Sequence, residues 1–185
     1  MMAALLGISE LLGLPLPGLE GLKQIRANPI VLIGMVILGL FTGPLAEELG
    51  WRGLVLDRLL KDKSSLVASL ILAPIWWAWH IPLFFIEGSN QAAWGLLSLE
   101  SVFFLLNIFP LTFVMTIIYT RTRRSILAVV LFHFSYNFTL SLVYPATPSF
   151  HILSFIGLSA MALLLGQLTE IKPFNPLDLE NALAG

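Results

Sequence analysis

From Ile30 onward the chain is a succession of apolar runs parted by short polar breaks. The runs are Ile30 to Leu60, Leu66 to Phe85, Ala92 to Thr120, Ser125 to Val143 and His151 to Leu168. Each is about the length needed to cross a hydrocarbon core roughly 30 Å thick. Only 11% of the residues are charged, against about 25% in a soluble domain, and mean hydropathy is +0.89. The expectation is an all-α, polytopic transmembrane helical bundle of about five or six spans, the most that 185 residues can hold. Prolines inside the runs, at Pro44, Pro74 and Pro110, predict kinked helices. The formal net charge of −1 gives no reason to expect a nucleic-acid partner. With no cysteine there is no disulfide framework, no thiolate chemistry and no cysteine zinc site.

The chain divides into three stretches. Residues 1–28 read as an interfacial leader or the truncated N-terminal segment of a longer chain. They lack the basic start of a secretory signal, and Leu12 to Gly18 is rich in turn residues. Residues 29–170 form the membrane domain, and residues 171–185 a polar tail. Arg58, Lys61 and Lys63 lie two spans before Arg121, Arg123 and Arg124, so both basic loops belong on one side, the cytoplasmic one. Lys23 and Arg26 then fall on the opposite side if the first run crosses once. A re-entrant hairpin at Gly43-Pro44 would remove that conflict.

Charge inside the first run is the feature that points to function. Phe41-Thr-Gly-Pro-Leu-Ala-Glu-Glu-Leu-Gly-Trp-Arg-Gly53 carries Glu47, Glu48 and Arg52 among apolar neighbours. Charges in a membrane segment are expensive and mark functional sites. Pro44 predicts the start of a new helix, with both carboxylates near its N-terminus, where the helix dipole favours negative charge. Glu48 and Arg52 are four apart on one face and pair as a structural unit. Glu47, about 100° round the helix, is left over for chemistry.

Further polar groups sit at overlapping depths. At about 1.5 Å per residue, Glu47 lies roughly 20 Å along its helix from Lys61, and His80 roughly 25 Å from Lys63. His133 and Asn137 lie roughly 13 to 20 Å from Arg124 on the same rise. His133 and Asn137 share a face, as do Trp76 and His80, so the Trp76 indole can pack against and orient the imidazole. Each alone reads as a hydrogen-bonded core histidine or interhelical polar contact. Together a carboxylate base, two imidazoles and an amide donor suit amide hydrolysis by activated water. Ser135 beside His133 leaves a covalent route open. His151, at the start of the last run, reads as structural.

Glu47-Glu48-x-x-x-Arg52, then Trp76-x-x-x-His80, then His133-x-x-x-Asn137, each in an apolar run, resembles the CPBP family of intramembrane proteases. That family includes CAAX prenyl endopeptidases and the bacterial abortive-infection and bacteriocin-immunity homologues. The resemblance covers roughly Phe41 to Phe138 and implies an intramembrane endopeptidase, a multi-pass protein of a bacterial or archaeal plasma membrane. Its partners would be the lipid bilayer and a peptide or protein substrate in or at the membrane. It implies that Glu47 and His80 activate water, that His133 and Asn137 form the oxyanion site, and that Glu48, Arg52 and Trp76 support them. Trp76 stands where the family commonly has Phe. The family has been described as metalloproteases, and Glu47, His80 and His133 would suffice as ligands for a catalytic zinc. Asn137 is a poor zinc ligand but a good donor, which favours a reading with no cofactor. The same residues leave two other readings open: a non-catalytic immunity or scaffold protein of this fold, and a proton-coupled transporter.

Overall fold

The computed structural model describes residues 2–143 and 148–168 and is helical in every regular element among them. The expected tail, residues 171–185, and the end of the membrane domain, residues 169–170, lie outside the described residues. Among the described residues, four helical stretches are long and apolar enough to cross a membrane: Ile30–Leu59, Ser65–Phe85, Leu99–Arg121 and Ser149–Gln167. A shorter apolar helix, Ile126–Leu142, has 17 residues, about 25 Å of helix, which is a fifth candidate for crossing.

The first apolar stretch contains α3 (Ile30–Phe41) and α4 (Pro44–Gly50), parted at Thr42 and Gly43. Gly43 adopts φ −136°, ψ −85°, outside the helical region, and Pro44 opens α4 in the first turn, as the Gly-Pro step predicts. No residue of α3 is buried, although all of them are apolar. In water that surface would be a fault; facing lipid tails it is the expected outer surface of a bundle. A π turn at Trp51–Leu56 follows α4, and α5 (Asp57–Leu59) closes the stretch. Wide turns of this kind recur at functional sites, and this one carries Arg52.

The core lies around α8 (Leu99–Arg121), which packs against α6 (Ser65–Trp79) and α10 (Pro148–Leu168) and against α9 (Ile126–Leu142). Leu72, Ala73, Trp76, Ile108, Leu111, Met115, Val129 and Leu158 form its buried centre. Ser69 Oγ donates to Thr116 Oγ1 at 2.8 Å, tying α6 to α8 in a region where few other polar groups compete. Asp57 Oδ1 accepts from Arg124 Nη1 at 2.5 Å and from Tyr119 Oη at 3.1 Å. Those bonds bring the end of the first stretch and the α8–α9 turn to one end of the bundle, the arrangement that the parity of the basic loops requires.

One expectation needs correction. The run Ala92 to Thr120 is not one span. Gly95, at φ +87°, ends the short α7 (Asn90–Trp94), and Ser98 Oγ caps α8 by accepting from Ser101 N. The run Leu66 to Phe85 is long and apolar enough to span as expected, with its α-helix ending at Trp79 and its last part a 3-10 turn, Ile81–Phe85, with Pro82 in the first turn. The leader packs on the bundle: Leu5 of α1 (Met2–Leu11) is buried with Val143 and Phe150. In α2 (Glu20–Ala27), Gly21 touches the backbone of Ser141, so closely that any Cβ there would collide with the Ser141 carbonyl.

Candidate active site

Two carboxylates that are neighbours in sequence have different surroundings. Glu48 is fully buried and so is Arg52, one helical turn on. Arg52 Nη1 donates to Glu48 Oε1 at 2.9 Å and lies 2.8 Å from Oε2. The rest of the guanidinium is enclosed by soft groups, with Nη2 3.3 Å from Met115 Sδ and Cζ 4.5 Å from the centre of the Trp76 ring. Glu48 Oε1 has a second partner, His133 Nδ1 at 2.7 Å. A carboxylate oxygen accepts at that contact, so Nδ1 carries the hydrogen and Nε2 points elsewhere.

Glu47 is half-buried, and its Oε2 accepts from the Trp76 indole Nε1 at 2.6 Å. One expectation is corrected: Glu47 is not without a partner. The Trp76 indole does pack against the His80 ring, with centres 5.8 Å apart, and it orients a carboxylate as well. His80 is also held by the main chain: its Nδ1 lies 2.7 Å from the Trp76 carbonyl. A carbonyl can only accept, so here too Nδ1–H is the donor and Nε2 is left for other work. The α-helical part of this run ends at Trp79, with His80 as its C-cap. The His80 ring packs edge-on to Phe104, centres 5.1 Å apart, and the His133 ring edge-on to Trp76, centres 5.3 Å apart. Trp76 thus touches Glu47, His80, Arg52 and His133 by four different contacts.

Glu47, Trp76, His80, His133 and Asn137 line a single cavity of about 550 Å³. Its walls come from α2, α3, α4, α6, α7, α8, α9 and α10. Asn137 is exposed in that cavity and makes no hydrogen bond among the described residues, so its amide is available to a ligand. Glu48 and Arg52 do not line the cavity; Glu48 reaches it only through its bond to His133, which does. Ser135 does not line it either, and its Oγ donates to the Leu131 carbonyl, which removes the motive for a serine nucleophile. Among the described residues no three His, Asp or Glu side chains are grouped closely enough to hold a metal ion.

Sequence reasoning missed part of this wall. Asn107, Tyr136, Trp94 and Ser154 line the cavity, as does His151, which read as structural. Asn107 and Ser154 carry no motif, and periodicity alone cannot tell a buried polar side chain that faces a cavity from one that faces another helix.

Two comparisons bear on this arrangement. A model of the type II CAAX prenyl endopeptidase Rce1-like family matches residues 29–139, which contain every residue of the three motifs. "CAAX prenyl protease 2" of the archaeon Methanococcus maripaludis is 36% identical over 97 residues, covering 49% of this chain and 34% of that protein. The alignment thus spans about a third of the relative's length. With more than half of its residues matched, and with the three motifs meeting at one cavity, this integral membrane chain belongs to the Rce1-like family of type II CAAX prenyl endopeptidases.

Proposed function

We propose that the cavity hydrolyses a peptide bond of a membrane-associated protein substrate, without a metal, and that its substrates are of the prenylated CAAX type named by the family and the archaeal relative. The observation that carries the reading is the convergence of Glu47, His80, His133 and Asn137, from three separate helical segments, on one cavity. Glu47 removes a proton from water. His80 Nε2 accepts the other water hydrogen and aims the oxygen, because its Nδ1–H is committed to the Trp76 carbonyl. The hydroxide oxygen bonds to the scissile carbonyl carbon, and the π pair moves to the carbonyl oxygen. His133 Nε2–H and the Asn137 amide donate to that oxyanion. As the C–N bond breaks, Glu47 returns its proton to the departing amine, which leaves a carboxylate and an amine.

His133 donates from Nε2 in its doubly protonated form, because Nδ1–H already serves Glu48. The charges support that state. Glu47 and Glu48 carry two negative charges, and Arg52 with imidazolium His133 carries two positive ones, so the group is neutral as a whole. Neutrality is what makes a set of charges tolerable in a membrane interior.

The test is direct. The full chain, purified into lipid nanodiscs, is given a farnesylated CAAX-type peptide, and released fragments are identified by mass spectrometry. Wild type should cleave it, and Glu47→Gln should be slower by about 10³-fold or more, the scale of a lost general base. Addition of 1,10-phenanthroline should leave the wild-type rate unchanged. A folded wild type that cleaves nothing, or a Glu47→Gln variant as fast as wild type, would sink the hydrolase reading. A rate abolished by the chelator and restored by zinc would sink the metal-free part.

A further inference from the structure

The cavity has a second polar wall, and three atoms on it lack partners. Asn107 of α8 is only 6% exposed. Its Nδ2 donates to the Phe103 carbonyl at 2.8 Å, which fixes the amide and leaves Oδ1 without a hydrogen bond. Ser154 of α10 is 4% exposed, and its Oγ is unpartnered. One turn earlier on the same helix, His151 Nε2 is unpartnered too. All three residues line the cavity that holds Glu47, His80, His133 and Asn137.

These groups are not ordinary buried polar residues of a membrane helix. Several hydroxyls of α8 and α9 bond back to their own helix: Thr112 to the Ile108 carbonyl, Thr116 to Thr112, Ser135 to Leu131. Ser154 has the same opportunity and does not take it. A buried polar group left unpaired is destabilising, and a cluster of them in a cavity marks where something else is bound. A ring relay connects the wall to the site: His80 packs on Phe104, Phe104 on Trp94, and Trp94 on His151, with centres 5.1, 5.9 and 6.0 Å apart. A peptide reaching His80 therefore runs alongside this wall.

The direction of the missing hydrogen bond is set by chemistry. Asn107 Oδ1 can only accept. The donor that an extended peptide offers at every residue is its main-chain N–H. We propose that Asn107 Oδ1, flanked by Ser154 Oγ and His151 Nε2, is a second hydrogen-bonding station of the cavity that accepts a main-chain N–H of the bound peptide. It is a positioning residue, remote from the reacting atoms, and it would set how the scissile carbonyl is presented to His133 and Asn137. The proposal rests on the peptide reading of the cavity given above.

The test reads binding rather than turnover. The Glu47→Gln chain in nanodiscs is titrated with a fluorescent farnesylated CAAX-type peptide and with analogues N-methylated at one amide each. One analogue should bind about tenfold more weakly than the parent, the scale of one hydrogen bond with its buried acceptor left unpaired. Adding Asn107→Leu, or Asn107→Ala where the larger residue lowers the yield of folded protein, should weaken the parent peptide by a similar factor. It should also erase the penalty for that one analogue while leaving those for the others unchanged. The proposal is overturned if the parent peptide does not bind, if no analogue is singled out, or if the penalty survives the loss of Asn107. In those last two cases bound water alone satisfies the wall. Binding with the expected pattern but no cleavage by wild type would overturn the hydrolase reading and keep the station; cleavage without the pattern would do the reverse.

Discussion

Replacing Glu48 by Gln separates what holds the site together from what makes it react. The Glu48 and Arg52 side chains have no exposure to solvent. In Glu48→Gln the guanidinium keeps only Met115 Sδ, the face of Trp76 and one neutral amide oxygen. Removing one partner of a buried ion pair destabilises by about 3–5 kcal/mol, which for a chain of this size is a fall of about 10 °C in the unfolding midpoint. The reaction loses something else. Gln can still accept from His133 Nδ1, but it carries no charge to hold the imidazolium. The difference between a charged and a neutral hydrogen bond, about 1–1.5 kcal/mol, predicts a rate lower by roughly five- to tenfold. The double variant Glu48→Gln with Arg52→Met removes both charges together, and such replacements are often neutral or stabilising. It should recover most of the midpoint, followed by intrinsic tryptophan fluorescence at one fixed heating rate, while kcat on the farnesylated peptide stays roughly five- to tenfold low. A double variant with wild-type kcat would refute the claim that Glu48 acts on the reaction through His133.

Other substitutions test single contacts. Trp76→Phe keeps a ring over Arg52 and against His133 but deletes the donor to Glu47; kcat should stay within about tenfold of wild type, the worth of one hydrogen bond. Gly21→Ala forces a Cβ against the Ser141 carbonyl, so α2 must move off α9. A loss of about 1–3 kcal/mol and faster trypsin cleavage at Lys23 or Arg26 are expected. Asp57→Asn weakens a partly exposed contact with Arg124 and Tyr119, so the unfolding midpoint should fall only slightly, for a loss of about 1 kcal/mol or less, with no change in kcat.

The parts of this account that could be read from the sequence are those in which apolar length or expensive charge speaks locally. The Gly43-Pro44 break and the start of α4 follow from backbone chemistry. That Glu47, His80, His133 and Asn137 could meet follows from counting residues against helical rise, and they line one cavity. Interhelical contacts were not legible. Nothing in the spacing of Glu48 and Arg52 shows that Glu48 also holds His133, eighty-five residues away. The packing of Trp76 on His80 was legible, but its bond to Glu47 was not, because an indole N–H can reach across to another helix while the ring stacks on its own. The break at Gly95 was hidden by the apolar residues on both sides, which satisfy a hydropathy reading whatever the backbone does. Asn107 and Ser154 were passed over because a lone polar residue in a span is informative only once its missing partner is seen.

The most direct test of the central claim, that Glu47 drives peptide hydrolysis, needs no assumption about the substrate. Membranes from cells expressing wild type and Glu47→Gln at equal levels are compared by mass spectrometry of protein termini. The account predicts a set of new termini, on membrane-associated proteins, in wild type only. Identical termini in the two membranes, with both proteins folded and equally abundant, would contradict it.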